Sequence, residues 1–382
     1  MSLLVVKESN PVKLLVLSGY VESLVNIRGP LLRAIRGAGH EVLACAPEIN
    51  EEIAAALRSF GVIYHSVQLE RTRMNPIHDA RFVLSFSRFL RQKRPDVFFG
   101  YNIKPVIYGS FAARLAGVPR VFSLIPGLGY TFGRETNKQR LTNVAARFLY
   151  RVALRSNQAV FFQNADDQNL FLKLKLLRDE QQGVRINGSG VDLELFAESP
   201  TTQKLPVFLL TARLIKEKGI VEYTEAARLL KSRYPHASFR LLGRLETHPS
   251  AIKLEQVERW RSEGIIEYLG ATRNVRPYLV DTSVFVLPSY YREGTPLTVL
   301  EAMAVGRPII TTDMPGCRDT VIPGENGFLV PIKDAPRLAE AMERFILDPD
   351  LIPKMGHRSR EIAVDKFDVN RVNAKMMICM GL

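Results

Sequence analysis

The chain has 382 residues, 46% of them hydrophobic and 24% charged, which is enough for two domains with proper cores and too apolar for a disordered chain. Its three cysteines, Cys45, Cys317 and Cys379, are too scattered for a zinc site or a disulfide framework and point to a reducing compartment, and neither a run of eighteen apolar residues nor a signal-type N-terminus is present. The formal net charge of +13 belongs to residues 71–155, where 16 Lys and Arg face only Asp79, Asp96 and Glu135; such a block suits nucleic acid, an anionic membrane surface or a phosphorylated ligand.

After a loose leader at residues 1–10, Lys13 to Ser18 is a short apolar run that stops at Gly19, as a first buried parallel strand would. A helix is predicted over Leu24–Ala38, a strand over Gly39–Cys45, a helix over Ile49–Phe60 and a strand over Val62–Val67. The alternation continues with helix Asp79–Lys93, strand Asp96–Tyr101, helix Pro105–Ala116, strand Arg120–Leu124, an amphipathic helix near Lys138–Arg155, strand Ala159–Gln163 and a helix from Ala165. Ala197 to Pro206, rich in Ser, Thr and Pro, reads as a linker. Beyond it the pattern restarts: strand Pro206–Thr211, helix Glu217–Tyr234, strand Phe239–Leu242, helix Ala251–Glu263, strands Ile265–Leu269, Val284–Pro288 and Pro308–Thr312, then helices Ala335–Leu347, Leu351–Lys366 and Val369–Met380. The predicted class is therefore α/β, two Rossmann-like domains with doubly wound parallel sheets, residues 11–197 and 206–366. Residues 367–382 form a last helix that crosses back to the first domain, and a ligand is expected in the cleft between the carboxyl ends of the two sheets.

The stretch Glu293-Gly-Thr-Pro-Leu-Thr-Val-Leu-Glu301 reads as strand, loop, helix. Thr295 suits an N-cap, Pro296 the first helical position, and Gly306 with Pro308 the stop. Eight residues along a helix separate two carboxylates by roughly 9–12 Å. That is too far for the ~5 Å nucleophile and acid pair of a retaining glycosidase, and suits two carboxylates gripping separate hydroxyl sets of one long ligand. A plain capped helix with two surface glutamates is the alternative. Arg213 and Lys218, in Thr211-Ala-Arg-Leu-Ile-Lys-Glu-Lys-Gly219, stand where the first strand after the linker opens into a loop, and two fixed cations there suit a departing diphosphate. A solvated basic loop is the alternative. Arg140, Arg147, Arg151 and Arg155 are spaced to share one face of the helix near Lys138–Arg155, with Leu141, Val144, Phe148 and Val152 on another. Asp348-Pro-Asp350 has metal-pair spacing but follows a helix, so a helix-ending turn is expected there and no metal site is assigned.

The two-glutamate motif, the segment Ala212 to Gly219, and Asn187-Gly-Ser-Gly-Val-Asp192 together resemble the large group 1 family of retaining glycosyltransferases with the GT-B fold, over about Lys13–Lys366. Asn102-Ile-Lys104-Pro-Val-Ile-Tyr-Gly109 and Pro126-Gly127-Leu-Gly129-Tyr-Thr-Phe132 resemble the bacterial branch that builds lipid-linked oligosaccharide, capsule and O-antigen units. The resemblance implies that Arg213 and Lys218 hold the donor diphosphate and that Glu293 contacts the donor sugar, helped by Gly294, Thr295, Pro296 and Leu297. It implies that Glu301 grips the ribose, that Gly270, Ala271, Thr272 and Arg273 line the base, and that Gly19 lets the first loop approach phosphate and acceptor. Asn102, Lys104, Gly127 and Gly129 fall on the acceptor side. The implied reaction moves a hexose or N-acetylhexosamine from a UDP-sugar to a polyprenyl-diphosphate saccharide, with retention and without a metal or other cofactor. It takes place at the cytoplasmic face of the inner membrane, with the basic 71–155 block on anionic lipid. Where many relatives carry a histidine after the strand Arg120–Leu124, this chain has Ile125-Pro-Gly127, so no acceptor-side base is assigned. A UDP-sugar epimerase on the same fold and a nucleic-acid-binding protein are the competing readings. The first lacks acid and base residues about the sugar, and the second lacks a binding module or aromatic platform.

Overall fold

A computed structural model of the chain describes residues 10–47, 51–70, 75–129, 137–201 and 206–382, with backbone alone at 137–142. The chain divides into two compact units. The first takes its described residues from 10–126, 137–186 and 373–382, the second from 127–129 and 187–372.

The first unit is built on β1 (Lys13–Ser18), β2 (Glu41–Ala46), β3 (Ile63–Ser66), β4 (Val97–Tyr101), β5 (Arg120–Ile125), β6 (Ala159–Phe162) and β7 (Gly183–Arg185). They form one parallel sheet in the order β3-β2-β1-β4-β5-β6-β7. β1, β2, β4, β5 and β6 are almost wholly buried, which is why they read as continuous apolar runs rather than alternating ones. The second unit holds β8 (Val207–Thr211), β9 (Ser238–Leu242), β10 (Glu267–Tyr268), β11 (Val284–Leu287), β12 (Ile309–Thr312) and β13 (Gly327–Val330), parallel in the order β10-β9-β8-β11-β12-β13. In both sheets the order reverses after the first strand of the unit, between β1 and β4 and between β8 and β11. The crevice at the carboxyl ends of such a pair is where open α/β sheets take ligands.

Several expectations shift in detail. The single helix predicted over Leu24–Ala38 is two, Ser23–Asn26 and Gly29–Gly37, because Pro30 is tolerated only in a first helical turn and so forces a new start at Gly29. The helix predicted from Glu217 begins at Ile220, after a short 3-10 turn and Gly219 at φ +75°. Strands β7 and β13 were not predicted; each is short and opens on a glycine. The boundary between units falls after Ile186 rather than in Ala197–Pro206. Residues 187–201 are tied into the second unit, where Val191 N–H donates to Phe367 O at 2.7 Å and Ser199 N–H to Val305 O. Residues 202–205 of the predicted linker lie outside the described residues. The helix Val369–Met380 starts in the second unit, with Val369 N–H on Val191 O, and ends in the first, where Arg120 donates to Met380 O at 3.0 Å. Among the described residues no helix is long and apolar enough to cross a membrane.

Candidate active site

Two loops of the second unit carry most of the residues singled out above, and backbone bonds join them. The first leaves β8 and runs through Arg213 to Lys218; the second leaves β11 and runs from Pro288 to Pro296. Glu217 O accepts the N–H groups of Tyr290 at 2.8 Å and Tyr291 at 3.1 Å. The two loops flank the β8–β11 reversal point.

At their junction Lys218 Nζ is ion-paired with Glu293 Oε2, with 11% and 13% of the side chains exposed. Ser289 Oγ donates to the other oxygen, Glu293 Oε1, at 2.7 Å, and Thr312 Oγ1 donates to Ser289 O beneath it. Glu293 is therefore fixed through both oxygens, and Lys218 is neutralised by the carboxylate it was expected to act beside. The two roles drawn separately from the sequence meet at one point. Lys218 Nζ also lies 5.7 Å from the Tyr291 ring centre. Burial raises the Tyr291 pKa, and Arg213, exposed on its loop and hydrogen-bonded to the Tyr291 side chain, opposes that rise. Arg213, Lys218, Tyr291 and Glu293 thus form one cluster, a charged patch with an aromatic floor.

The backbone around Gly294 is closely packed on two sides. A Cβ at Gly316, which sits at φ +80°, would lie 1.4 Å from Gly294 O, and a Cβ at Gly127, at φ +141°, would lie 2.5 Å from Gly294 N. Gly129 N–H donates to Arg292 O at 2.9 Å. Gly127 and Gly129, expected on the acceptor side, therefore belong to the second unit and pack on the loop that presents Glu293; Tyr130, Thr131 and Phe132 of that motif lie outside the described residues.

The helix after Glu293 runs Leu297–Ala304, with Pro296 as its N-cap in an extended conformation and no side-chain cap. Thr295 is not the cap. Its side chain is buried, and a Cβ at Gly188 would come within 2.9 Å of Thr295 Cβ, so Thr295 packs toward the 187–190 turn instead. Pro296 offers no N–H, leaving those of Leu297 and Thr298 at the helix start. Glu301 lies in the second turn, and burial pushes its carboxyl up to about 8. Gly270, at φ +73°, gives its carbonyl to Gly243 N–H at 2.7 Å, and Ala271, Thr272 and Arg273 follow as an exposed turn at the carboxyl end of β10.

The motif Asn187 to Asp192 is structural here. Asn187 Nδ2 donates to Lys366 O, Asp192 Oδ1 accepts from Glu194 and Leu195 N–H, and a Cβ at Gly190 would lie 2.5 Å from Val369 Cα.

In the first unit, Asn102 ends β4 at φ +73°, and Lys104 Nζ is held by Asp79 Oδ1 at 2.7 Å, the pair being only 10% and 5% exposed. Lys104 is thus a compensated charge. Gly19 keeps ordinary dihedrals, and a Cβ there would meet Pro105 at 3.6 Å, so packing alone does not demand glycine. The helix Asn137–Leu154 buries Asn143, Ala146, Tyr150 and Ala153. Val144 and Phe148, expected on the apolar face, are 57% and 64% exposed. Arg151 is not a free cation, for it donates to the carbonyls of Leu174 and Lys175 at 2.9 and 3.0 Å, ending the helix Ala165–Lys173. The side chains of Arg140 and Leu141 lie outside the described residues.

Sequence reasoning missed Ser289, Tyr291, Glu217 and Gly316. Only Gly316, after Pro315 in the loop that follows β12, carries a turn signal; the others act through contacts that spacing does not reveal.

A family model for "Glycosyl transferases group 1" matches residues 205–348, and one for "Glycosyl transferase 4-like domain" matches residues 28–188. The chain belongs to the group 1 glycosyltransferases. This glycosyltransferase is 27% identical over 361 residues, 91% of its length and 93% of the relative's, to the N,N'-diacetylbacillosaminyl-diphospho-undecaprenol alpha-1,3-N-acetylgalactosaminyltransferase of Campylobacter jejuni. It is 26% identical, over 77% of each chain, to the UDP-Gal:alpha-D-GlcNAc-diphosphoundecaprenol alpha-1,3-galactosyltransferase of Escherichia coli. Among solved structures, a glycosyltransferase from Rickettsia africae superposes with a TM-score of 0.79 at 16% identity over 97% of this chain and 98% of that one. Anabaena HepE in complex with UDP superposes at 0.75 and 17% identity over 97% and 99%. These likenesses establish the GT-B fold.

Proposed function

We propose that the protein transfers a hexose or N-acetylhexosamine, with retention at the anomeric carbon, from a UDP-sugar to a polyprenyl-diphosphate-linked saccharide in cell-surface polysaccharide synthesis. The observation that carries this reading is the cluster of Arg213, Lys218 and Glu293 at the reversal point of the second sheet. A diphosphate entering there meets Arg213 directly and draws Lys218 into a bridge between phosphate and Glu293. Its growing charge as it leaves is then met by cations already in position. The orphan N–H groups at Leu297 and Thr298 face the same anion, Glu293 takes donor-sugar hydroxyls, and Glu301 takes the ribose. The names of the Campylobacter and Escherichia relatives, both acting on undecaprenyl-diphosphate saccharides, support the acceptor class; UDP in HepE supports the nucleotide.

The work is done at the cytoplasmic face of a membrane, without a metal. Val144, Phe148, Arg151 and Arg155 share one exposed helix face, apolar toward its start and basic toward its end, which supports a helix lying on anionic lipid. The test is transfer of radiolabel from a panel of UDP-hexoses and UDP-N-acetylhexosamines to a polyprenyl-diphosphate N-acetylhexosamine, with and without EDTA, and proton NMR of the product anomer. An α-linked product made equally well in EDTA is expected. A β-linked product, or loss of activity on chelation, would sink the mechanism.

A further inference from the structure

The loop that leaves β8 carries a carboxylate between its two cations. Glu217 stands after Arg213 and directly before Lys218, half-buried, in the short 3-10 turn Lys216–Lys218. A negative charge there works against cations that are to meet a diphosphate, so its place in the turn calls for a physical reason. Part of the reason is its backbone. The Glu217 carbonyl holds the Tyr290 and Tyr291 N–H groups, and with them the loop that presents Glu293 to Lys218.

The side chain reaches a third loop, which leaves β9 and runs from Gly243 to Ile252. Ser250 Oγ donates to Glu217 Oε2 at 2.6 Å, the length of a hydroxyl bond to a charged oxygen. Ser250 is itself fixed by His248, whose Nδ1 lies 2.8 Å from its Oγ and 3.2 Å from its backbone nitrogen. Backbone bonds already hold the start of the first loop to the third, Leu214 N–H to Arg244 O at 3.0 Å and Lys216 N–H to Ser250 O at 2.9 Å. The Glu217 carboxylate extends that seam by one residue, up to the neighbour of Lys218. At its other end the third loop begins at Gly243, whose N–H donates to Gly270 O at the head of the exposed turn 270–273.

Glu217 therefore joins two loops to its own, one through its carbonyl and one through its carboxylate. We propose that Glu217, braced by Ser250, is a positioning residue of the donor site. It sets Lys218 against Glu293 and ties both to the loop that leads back to Gly270, acting through those residues rather than on substrate. Preorganised charges stabilise a departing diphosphate only while their supports hold them in place, which is a reason to keep a carboxylate beside them. Calling this a donor site rests on the transferase reading above; the joint between the three loops does not.

Hydrogen exchange of the ligand-free full chain, followed at the Tyr290 and Tyr291 amides, tests the joint in Glu217→Ala, Ser250→Ala and Glu217→Gln, and transfer kinetics test its use. Each alanine variant should speed exchange at these amides by about tenfold, as loss of one hydrogen bond to a charged group allows. Each should lower kcat by about the same factor while donor KM stays within about threefold. Glu217→Gln keeps an acceptor oxygen for Ser250 and should stay within about threefold of wild type in both measurements. The double alanine variant should be no worse than either single one, since both act through one bond. If Glu217→Ala does not fold by circular dichroism, Ser250→Ala carries the test, because it leaves the backbone bonds of Glu217 in place. The proposal is overturned if the alanine variants exchange like wild type, if they exchange faster yet keep wild-type kcat, if Glu217→Gln is as impaired as Glu217→Ala, or if the double loss is the product of the single ones. Faster exchange in the alanine variants of a protein that transfers no sugar from any UDP-sugar supports the joint and refutes the UDP-donor reading instead.

Discussion

The reversal points of the two sheets hold their charges in opposite ways. In the second unit Lys218 and Glu293 compensate each other, and Ser289 fixes the carboxylate from behind. In the first, Lys104 is compensated by Asp79, while Arg28 beside Tyr101 is buried with no counter-charge. A pre-paired cation and carboxylate hold each other in position without ligand, whereas a buried charge without a partner is left uncompensated by the fold itself. The first arrangement suits a step in which charge develops, as the proposed transfer requires.

Breaking the pairs should separate these roles. Lys218→Ala should lower kcat by about 10²–10³-fold, the loss typical for one preorganised stabilising donor. It should also cost on the order of 3–5 kcal/mol of stability, since Glu293 is left charged in a nearly buried place. Transfer kinetics beside a urea titration would resolve the two, and near-wild-type turnover would remove Lys218 from the diphosphate. Lys104→Ala sharpens the comparison. It strands Asp79 in the same manner, so a stability loss of similar order, about 3–5 kcal/mol, is expected. Its kcat per folded molecule should stay within a few-fold of wild type. A hundredfold fall in kcat at full folding would mean that Lys104 acts on substrate after all.

Much of this was legible in the sequence, and what was not has a physical reason. Parallel strands buried on both faces announce themselves as apolar runs, so most of the thirteen strands among the described residues, and both sheets, could be drawn from residue order. Glu293, Glu301, Arg213 and Lys218 stood out because strand-to-helix junctions concentrate chemistry. Pairing is a different matter. Lys218 with Glu293 spans 75 residues and Lys104 with Asp79 spans 25, and nothing in local spacing tells a free cation from a compensated one. The Thr295 cap was misplaced by one residue because Thr-Pro is a good helix start in isolation, and tertiary packing against Gly188 turned the threonine away. Arg28 carried no motif; its burial with an unpartnered Nε is visible only in the structure.

Glu301 gives a gentler probe of the donor side. Burial raises its pKa from the ordinary glutamate value to about 8, so the folded, ligand-free protein binds a proton there that the unfolded chain has already lost above about pH 4.5. The sign follows: this group makes the fold less stable as pH rises from about 4.5 toward 8. Ribose hydroxyls donate, which favours the charged form, so UDP binding should release the proton. UDP affinity should therefore climb with pH between 6 and 8, by no more than about tenfold per unit. Titrations in buffers of different ionisation enthalpy would detect the released proton. In Glu301→Gln the climb should vanish and affinity should stay low at every pH; an unchanged slope would take Glu301 away from the ribose.

The smallest effect is expected on the face shared by Val144, Phe148, Arg151 and Arg155. Arg151 spends its donors on two backbone carbonyls and adds mainly charge, so the apolar pair should matter as much as the basic residues. Phe148→Ser removes the larger exposed ring. It leaves the buried face of that helix intact and should not alter stability by more than about 0.5 kcal/mol. Sedimentation with vesicles of mixed anionic and zwitterionic lipid should fall severalfold for Phe148→Ser and for Arg155→Gln alike, since a basic residue near an anionic surface is worth about 1 kcal/mol. Wild type should also prefer such vesicles to mixed-sequence oligonucleotides at equal ionic strength. If oligonucleotides compete the protein off the vesicles, or if Phe148→Ser sediments like wild type, the exposed face is not a membrane contact and the positive excess of residues 71–155 needs another partner.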